Sequence, residues 1–297
     1  MKKILVLGGT RFFGKRLVEL LVKDGHDVTI ATRGNLANPF GDKVKQITVD
    51  RLNAKALKSA VGNEQWDIVY DNICYSPDDA AVACAIFDKN VVHYIFTSTL
   101  SVYPADGVAK IEEDFDPYNY PIQMGDRNAF SYGEGKRLAE AVFFQKATFS
   151  VTAIRFPIVI GEEDYTERLL FHVDHVKNEE DIGIVNTEAR MSFISSDEAG
   201  SFLRWVGLEH VTGPINATLK GTYSLAEMLE IIEEEVGKKA IVSAEVEQAN
   251  VSPYNIPNSW YMETLKAESA GYTFTTLNSS FPQLVHKLVQ EIHHKTI

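Results

Sequence analysis

Lys3-Ile4-Leu5-Val6-Leu7-Gly8-Gly9-Thr10-Arg11-Phe12-Phe13-Gly14 decides the fold. Five residues of almost unbroken apolar character predict a strand, and three glycines in the next seven let the backbone turn tightly into the next element. That element is helical: residues 12–23 place Leu17, Val18, Leu20 and Leu21 at helical spacing before Asp24-Gly25 ends the run. Strand, glycine turn and helix in that order present helix N-terminal amides to an anion, and a pyrophosphate is the anion this arrangement suits.

Outward from that stretch, apolar runs at residues 28–31, 44–49, 67–70, 92–96 and 152–156 read as further strands, with helices at 54–60, 78–87 and 131–146 between them. Alternation of this kind predicts a Rossmann-type, doubly wound parallel α/β sheet over residues 1–161. After Gly161 the pattern loosens into a charged stretch at 162–181, and short apolar pieces near 183–217 are expected to return to the sheet. Ser224 caps a clear amphipathic helix at 225–236, and two helical segments close the chain. Residues 162–297 are therefore read as mainly a smaller α+β substrate domain.

At 297 residues with 45% hydrophobic content, the chain can bury about three quarters of its unfolded surface, which sets disordered and fibrous classes aside. Its 41 acidic against 29 basic residues give a net charge of −12, so nucleic acid is an unfavoured partner. The apolar start is too short for a signal sequence or a membrane span, and Cys74 and Cys84 have neither disulfide-framework nor zinc spacing. A cytoplasmic protein with reduced thiols is the expectation, in a form compatible with a homodimer.

The end of the second strand bears on which dinucleotide would bind. A carboxylate there holds the ribose 2′-hydroxyl in NAD sites, but this chain has Ala31-Thr32-Arg33-Gly34. Arg33 can fork onto a 2′-phosphate and Arg11 can approach from the glycine loop, so NADP is the first choice and NAD the second. Tyr132-Gly133-Glu134-Gly135-Lys136 sets a phenol and an ammonium on one helix face, where the cation stabilises the phenolate that a proton transfer passes through. The hydroxyl-rich segment Thr97-Ser98-Thr99-Leu100-Ser101 leaves the strand at 92–96, at the sheet edge where ligands sit.

Together with Asp50, Val102-Tyr103, Arg155-Phe156-Pro157 and Gly161, these residues resemble the extended short-chain dehydrogenase/reductase superfamily, in its NAD-dependent epimerase/dehydratase branch, over essentially the whole chain. The resemblance implies Tyr132 as acid/base, Lys136 as holder of the nicotinamide ribose, and Thr99 at a catalytic hydroxyl position usually occupied by Ser. It implies a cofactor lined by Gly8, Gly9, Thr10, Arg11, Phe12, Phe13, Gly14, Arg33, Arg51, Thr97, Lys136 and Phe156, with Asp50 and Leu52 at the adenine and Asn72 and Ile73 over the cofactor.

The activity so implied is an oxidoreductase, epimerase or dehydratase acting on a small polar carbonyl, alcohol or nucleotide-sugar-like molecule. Arg190, just before Phe193-Ile194, is the nearest match to a residue that contacts a substrate diphosphate. The Gly-Gly-Thr-Arg-Phe loop is similar to an atypical subgroup that includes chloroplast RNA-binding relatives, so a cofactor-bound regulatory or RNA-binding protein is the alternative. His172, Asp174 and His175 lack a clear third metal ligand and are expected to form a solvated or substrate-facing surface; no metal is expected. His293-His294 read as a terminal tail and Glu233-Glu234-Glu235 as a solvated helix face.

Overall fold

The computed structural model describes residues 1–295. Strands β1 (Lys3–Leu7), β2 (Asp27–Thr32), β3 (Lys45–Thr48), β4 (Trp66–Asp71), β5 (Val91–Thr99) and β6 (Ser150–Phe156) alternate with helices α1 (Phe12–Lys23), α2 (Ala54–Val61), α3 (Pro77–Phe87) and α4 (Tyr132–Lys146). Beyond them come β7 (Ile158–Ile160), α5 (Arg168–Asn178), β8 (Asp181–Gly183), β9 (Arg190–Met191), β10 (Phe193–Ser195), α6 (Ser196–Glu209), β11 (Gly213–Asn216), β12 (Tyr223–Ser224), α7 (Leu225–Val236), β13 (Ile241–Ser243), α8 (Leu265–Ser269) and α9 (Leu277–Lys295). The side chains of His293 and His294 lie outside those described.

One seven-stranded sheet runs in the order β11-β6-β5-β4-β1-β2-β3, and every neighbouring pair is parallel. From β1 the chain winds outward through β2 and β3, then returns to the other side of β1 for β4, β5 and β6. A topological switch therefore falls between β1 and β4, the place where open α/β sheets bind ligands. Period-two alternation explains the two covering layers: Ile4 and Val6 of β1 join a core with α1 and α6, whereas Leu5 and Leu7 join a second core with α2, α3 and α4. At about 25 cal/mol per Å², burying both faces makes this sheet the main store of hydrophobic stabilisation.

Segment 196–216 thus serves the sheet, α6 packing on α1 and β11 extending it beside β6. A separate core gathers α5, α7, α9 and the short strands, with β7 paired to β10, β8 to β13 and β9 to β12. The charged stretch at 162–181 contains a helix, since Leu169, His172, Val173 and Val176 form its buried stripe. His172 therefore forms neither the solvated nor the substrate-facing surface expected. It is fully buried, with Nδ1 2.9 Å from the Arg168 carbonyl oxygen and Nε2 2.8 Å from Ser252 Oγ. Among the described residues no helix is long and apolar enough to cross a membrane, and no group of three or more His, Cys, Asp or Glu could hold a metal ion.

Candidate active site

Gly8, at φ +84°, turns the chain out of β1 in a conformation that L side chains rarely adopt. A Cβ on Gly14 would overlap the Gly8 carbonyl oxygen, so the first turn of α1 presses directly on this loop. The same carbonyl accepts from Asn72 Nδ2 at 3.3 Å, and Asn72 Oδ1 accepts from Thr97 Oγ1 at 2.8 Å. One amide side chain thereby joins the exits of β1, β4 and β5. Helices α2, α3, α4, α6 and α7 are capped by the side chains of Asn53, Ser76, Ser131, Ser195 and Ser224, but α1 begins at Arg11 with no side-chain cap. Its first amides keep their capacity for an anionic ligand.

A cleft of about 440 Å³ opens here. Gly8, the five residues 10–14, Arg33, residues 50–52, Asn72 and Ile73 line it, together with Tyr75, Arg127 and Tyr165, which sequence pattern alone does not single out. Gly9 does not line it; an added Cβ there would press into Val6, Val18 and Ile30, so this glycine serves core packing. Thr32 and Arg33 stand at the end of β2 without a carboxylate, and Arg33 is exposed. Thr32 Oγ1 is taken up locally, accepting from the Gly34 amide and Gln46 Nε2. Leu52 is 61% exposed at the cleft, an apolar surface that suits a base. Arg51 is committed elsewhere: its guanidinium lies buried between Asp71 at 2.6 Å and Asp79 at 3.1 Å. It braces the end of β4 and can offer a ligand only its flank.

A second cavity, about 400 Å³, shares Phe12, Phe13, Asn72, Tyr75 and Tyr165 with the first and continues past the ends of β5 and β6. Thr97, Thr99, Tyr132, Lys136 and Phe156 all line it. Lys136 is 1% exposed, and its Nζ donates to the carbonyl oxygens of Cys74 and Thr97, each at 2.7 Å. Two bonds leave one ammonium proton to offer. The same nitrogen lies 4.6 Å from the Tyr75 ring and 5.8 Å from the Tyr132 ring. Tyr132 is 54% exposed, with the Tyr75 ring 6.4 Å from its own. Thr99 Oγ1 accepts from the Ser101 amide at 3.1 Å, which fixes its hydroxyl at the strand exit. Burial pushes the Tyr75 phenol up to about 12, so it stays protonated where the two cavities meet.

Local sequence explains how α4 gets so close. An added Cβ on Gly133 would collide with the Ser101 carbonyl oxygen and one on Gly135 with that of Tyr75, so both positions must be bare for the helix to seat. Phe12 holds φ +50°, a left-handed conformation that costs a non-glycine residue about 1–3 kcal/mol and occurs where cleft and cavity join. Arg190 does not join the site. Its guanidinium bonds Thr222 and pairs with Glu227 at 2.9 Å, and it does not line the cavity, although its neighbours Met191 and Ser192 do. Arg155 is likewise internal, buried against Glu140 at 2.7 Å with Tyr103 on its other side.

An open parallel α/β sheet with a glycine turn at its switch point, and a Tyr–Lys pair beyond it, defines a dinucleotide-binding protein class. The chain belongs to the NAD dependent epimerase/dehydratase family, which it matches over residues 4–218. It is 30% identical over 233 residues, 72% of this chain, to the chloroplast stem-loop binding protein of 41 kDa b of Arabidopsis thaliana; that match spans 57% of the plant protein's length. Among solved structures, Bordetella bronchiseptica WbmG in complex with NAD and UDP superposes with a TM-score of 0.74 at 15% identity, covering 98% of this chain and 96% of that one. Thermus thermophilus UDP-glucose 4-epimerase in complex with NAD gives 0.74 at 14% identity, covering 97% and 99%. At such identities the likeness is one of fold.

Proposed function

We propose that the protein is a nicotinamide-dinucleotide oxidoreductase or epimerase/dehydratase that acts on a polar carbonyl, alcohol or nucleotide-sugar-like substrate. One observation carries this reading: the Lys136 ammonium, anchored on two carbonyls beside Tyr132, stands in a cavity continuous with a cleft suited to a dinucleotide. The free amides of α1 and the bare turn at Gly8 fit a pyrophosphate, and exposed Leu52 fits an adenine. Bound there, the dinucleotide supplies or accepts the hydride. Tyr132 gives its phenolic proton to the substrate oxygen in the reducing direction and takes it back in the other. The free proton of Lys136 is available to a ribose hydroxyl, and Thr99 offers a hydroxyl to the same substrate oxygen.

We read NADP(H) as the preferred form. The absent carboxylate after β2 and the exposed guanidinium of Arg33 support it, whereas the NAD found in the structural relatives keeps NAD as second choice. Replacing Tyr132 by Phe keeps the ring and deletes the proton, so hydride transfer in single turnover falls by roughly 10²–10⁴ while NADPH affinity holds. Full turnover by Tyr132→Phe would overturn the mechanism. A second reading, a cofactor-bound RNA-binding protein, draws on the name of the plant relative. The net charge of −12 speaks against it, and a stem-loop titration across salt concentrations tests it.

A further inference from the structure

Two residues that line the second cavity, Tyr254 and Trp260, each carry a buried side-chain donor without a partner among the described residues: the Tyr254 hydroxyl and the Trp260 Nε1. Buried donors are nearly always satisfied, so each such pair of orphans asks for an acceptor. Tyr254 is 1% exposed, and its ring stacks on His172 at 5.0 Å and 17°, which holds the ring in place. Burial raises its pKa, so the group remains a donor. Arg168, the first residue of α5, lines the same cavity; its Nε donates to Thr166 Oγ1 at 2.9 Å, and no carboxylate pairs with it among the described residues. The α5 N-terminus beside it begins at Glu167 without a side-chain cap.

His172 rivets these parts together. Its two ring nitrogens engage the Arg168 carbonyl and Ser252 Oγ, and that hydroxyl also receives the Tyr254 amide. We infer that Arg168, Tyr254 and Trp260 form the recognition end of the second cavity for a polyhydroxylated substrate bearing a single anionic oxygen group, a carboxylate or a phosphate ester. The assignment rests on the oxidoreductase or epimerase reading above and adds the substrate class. One guanidinium answers one anionic group; Arg190, the basic residue the sequence offered for a diphosphate, is spent on Glu227. Asp164 is the carboxylate whose field reaches Tyr254; its Oδ1 is held by the amide and hydroxyl of Thr166, and its Oδ2, buried and unpartnered like the Tyr254 hydroxyl, is the competing acceptor.

The test uses the full chain saturated with NADPH, which fills the first cleft, and thermal shift with millimolar glucose, glucuronate, glucose 6-phosphate and UDP. Glucuronate or glucose 6-phosphate should raise the melting temperature beyond glucose, and the larger of the two shifts identifies the anion. Arg168→Met should weaken that probe by roughly ten- to a hundredfold, with Arg168→Lys recovering part. Tyr254→Phe removes only an unpartnered hydroxyl, so the NADPH-loaded protein should melt no lower while the probe binds several-fold more weakly. A Tyr254→Phe protein that melts lower and binds the probe unchanged assigns the hydroxyl to Asp164 and overturns the inference, as does a probe shift that survives Arg168→Met or is confined to UDP. Fluorescence titration with NADPH and NADH separates the two levels. If the unmodified chain binds a dinucleotide but no anionic probe, this assignment alone fails; if it binds neither NADPH nor NADH, the functional reading fails with it.

Discussion

Acidification should unpick the wall of the second cavity through His172. Burial lowers the pKa of this ring from 6.5 to about 4, and the neutral ring donates to the Arg168 carbonyl and accepts from Ser252. A folded-state pKa below the unfolded value means the unfolded chain binds the proton first. The stabilisation is therefore complete above about pH 6.5 and is lost as pH falls toward 4. Between pH 7 and pH 5 the loss from this one residue comes to about 2 kcal/mol, taking one pKa unit as about 1.4 kcal/mol. Urea denaturation at both pH values measures it. His172→Gln cannot titrate, so its stability should start lower at pH 7 and fall about 2 kcal/mol less on the way to pH 5. His93, also lowered to about 4 by burial, contributes equally to both proteins and cancels in the comparison. Parallel pH dependences for the variant and the unmodified protein would refute the argument.

Three further outcomes are expected at the site. Arg33→Ala should cost NADPH roughly ten- to a hundredfold in affinity and leave NADH nearly unchanged, read by fluorescence titration; equal losses for both would place Arg33 away from a 2′-phosphate. Gly14→Ala should lower dinucleotide affinity at least about tenfold with secondary structure intact by circular dichroism, because its Cβ must displace the carbonyl that Asn72 holds. Arg190→Ala should cost under about 1 kcal/mol of stability in urea denaturation, since the pair with Glu227 is over two-fifths exposed on both sides, and should not alter any melting shift from UDP.

How far the sequence could be read depended on the range of the interaction involved. The turn at Gly8 and Gly14 was legible because its cause is local: a strand, a bare turn and a helix succeed each other within the chain. The Tyr132–Lys136 pair was legible for the same reason, through one helical turn. The pairings of Arg51 and Arg190 were not legible because their partners lie far off, Asp71 twenty residues away and Glu227 thirty-seven. No spacing rule reports such a pairing. His172 was different, since Leu169, Val173 and Val176 already marked the buried face it shares, and the charged neighbours obscured an apolar stripe that was present. Tyr75 comes shortly after Asn72 and Ile73 on the way out of β4 and could have been found by position. Arg127 and Tyr165 sit in loops with no periodic signal, and only the closed structure brings them to the cleft.

The two bare positions in α4 bear on what natural variation or engineering can change. Gly133 rests on the Ser101 carbonyl and Gly135 on that of Tyr75, while Lys136 grips Cys74 and Thr97. The one remaining residue of the turn, Glu134, is held by Tyr120 and Arg137. Apart from Arg137 of the same helix, every handle on the phenol–ammonium spacing thus belongs to backbone leaving β4 and β5 or to a neighbouring loop. Re-aiming this pair at a bulkier or smaller substrate means redrawing the exits of the sheet, and substitutions confined to the helix will first meet a wall of carbonyl oxygens.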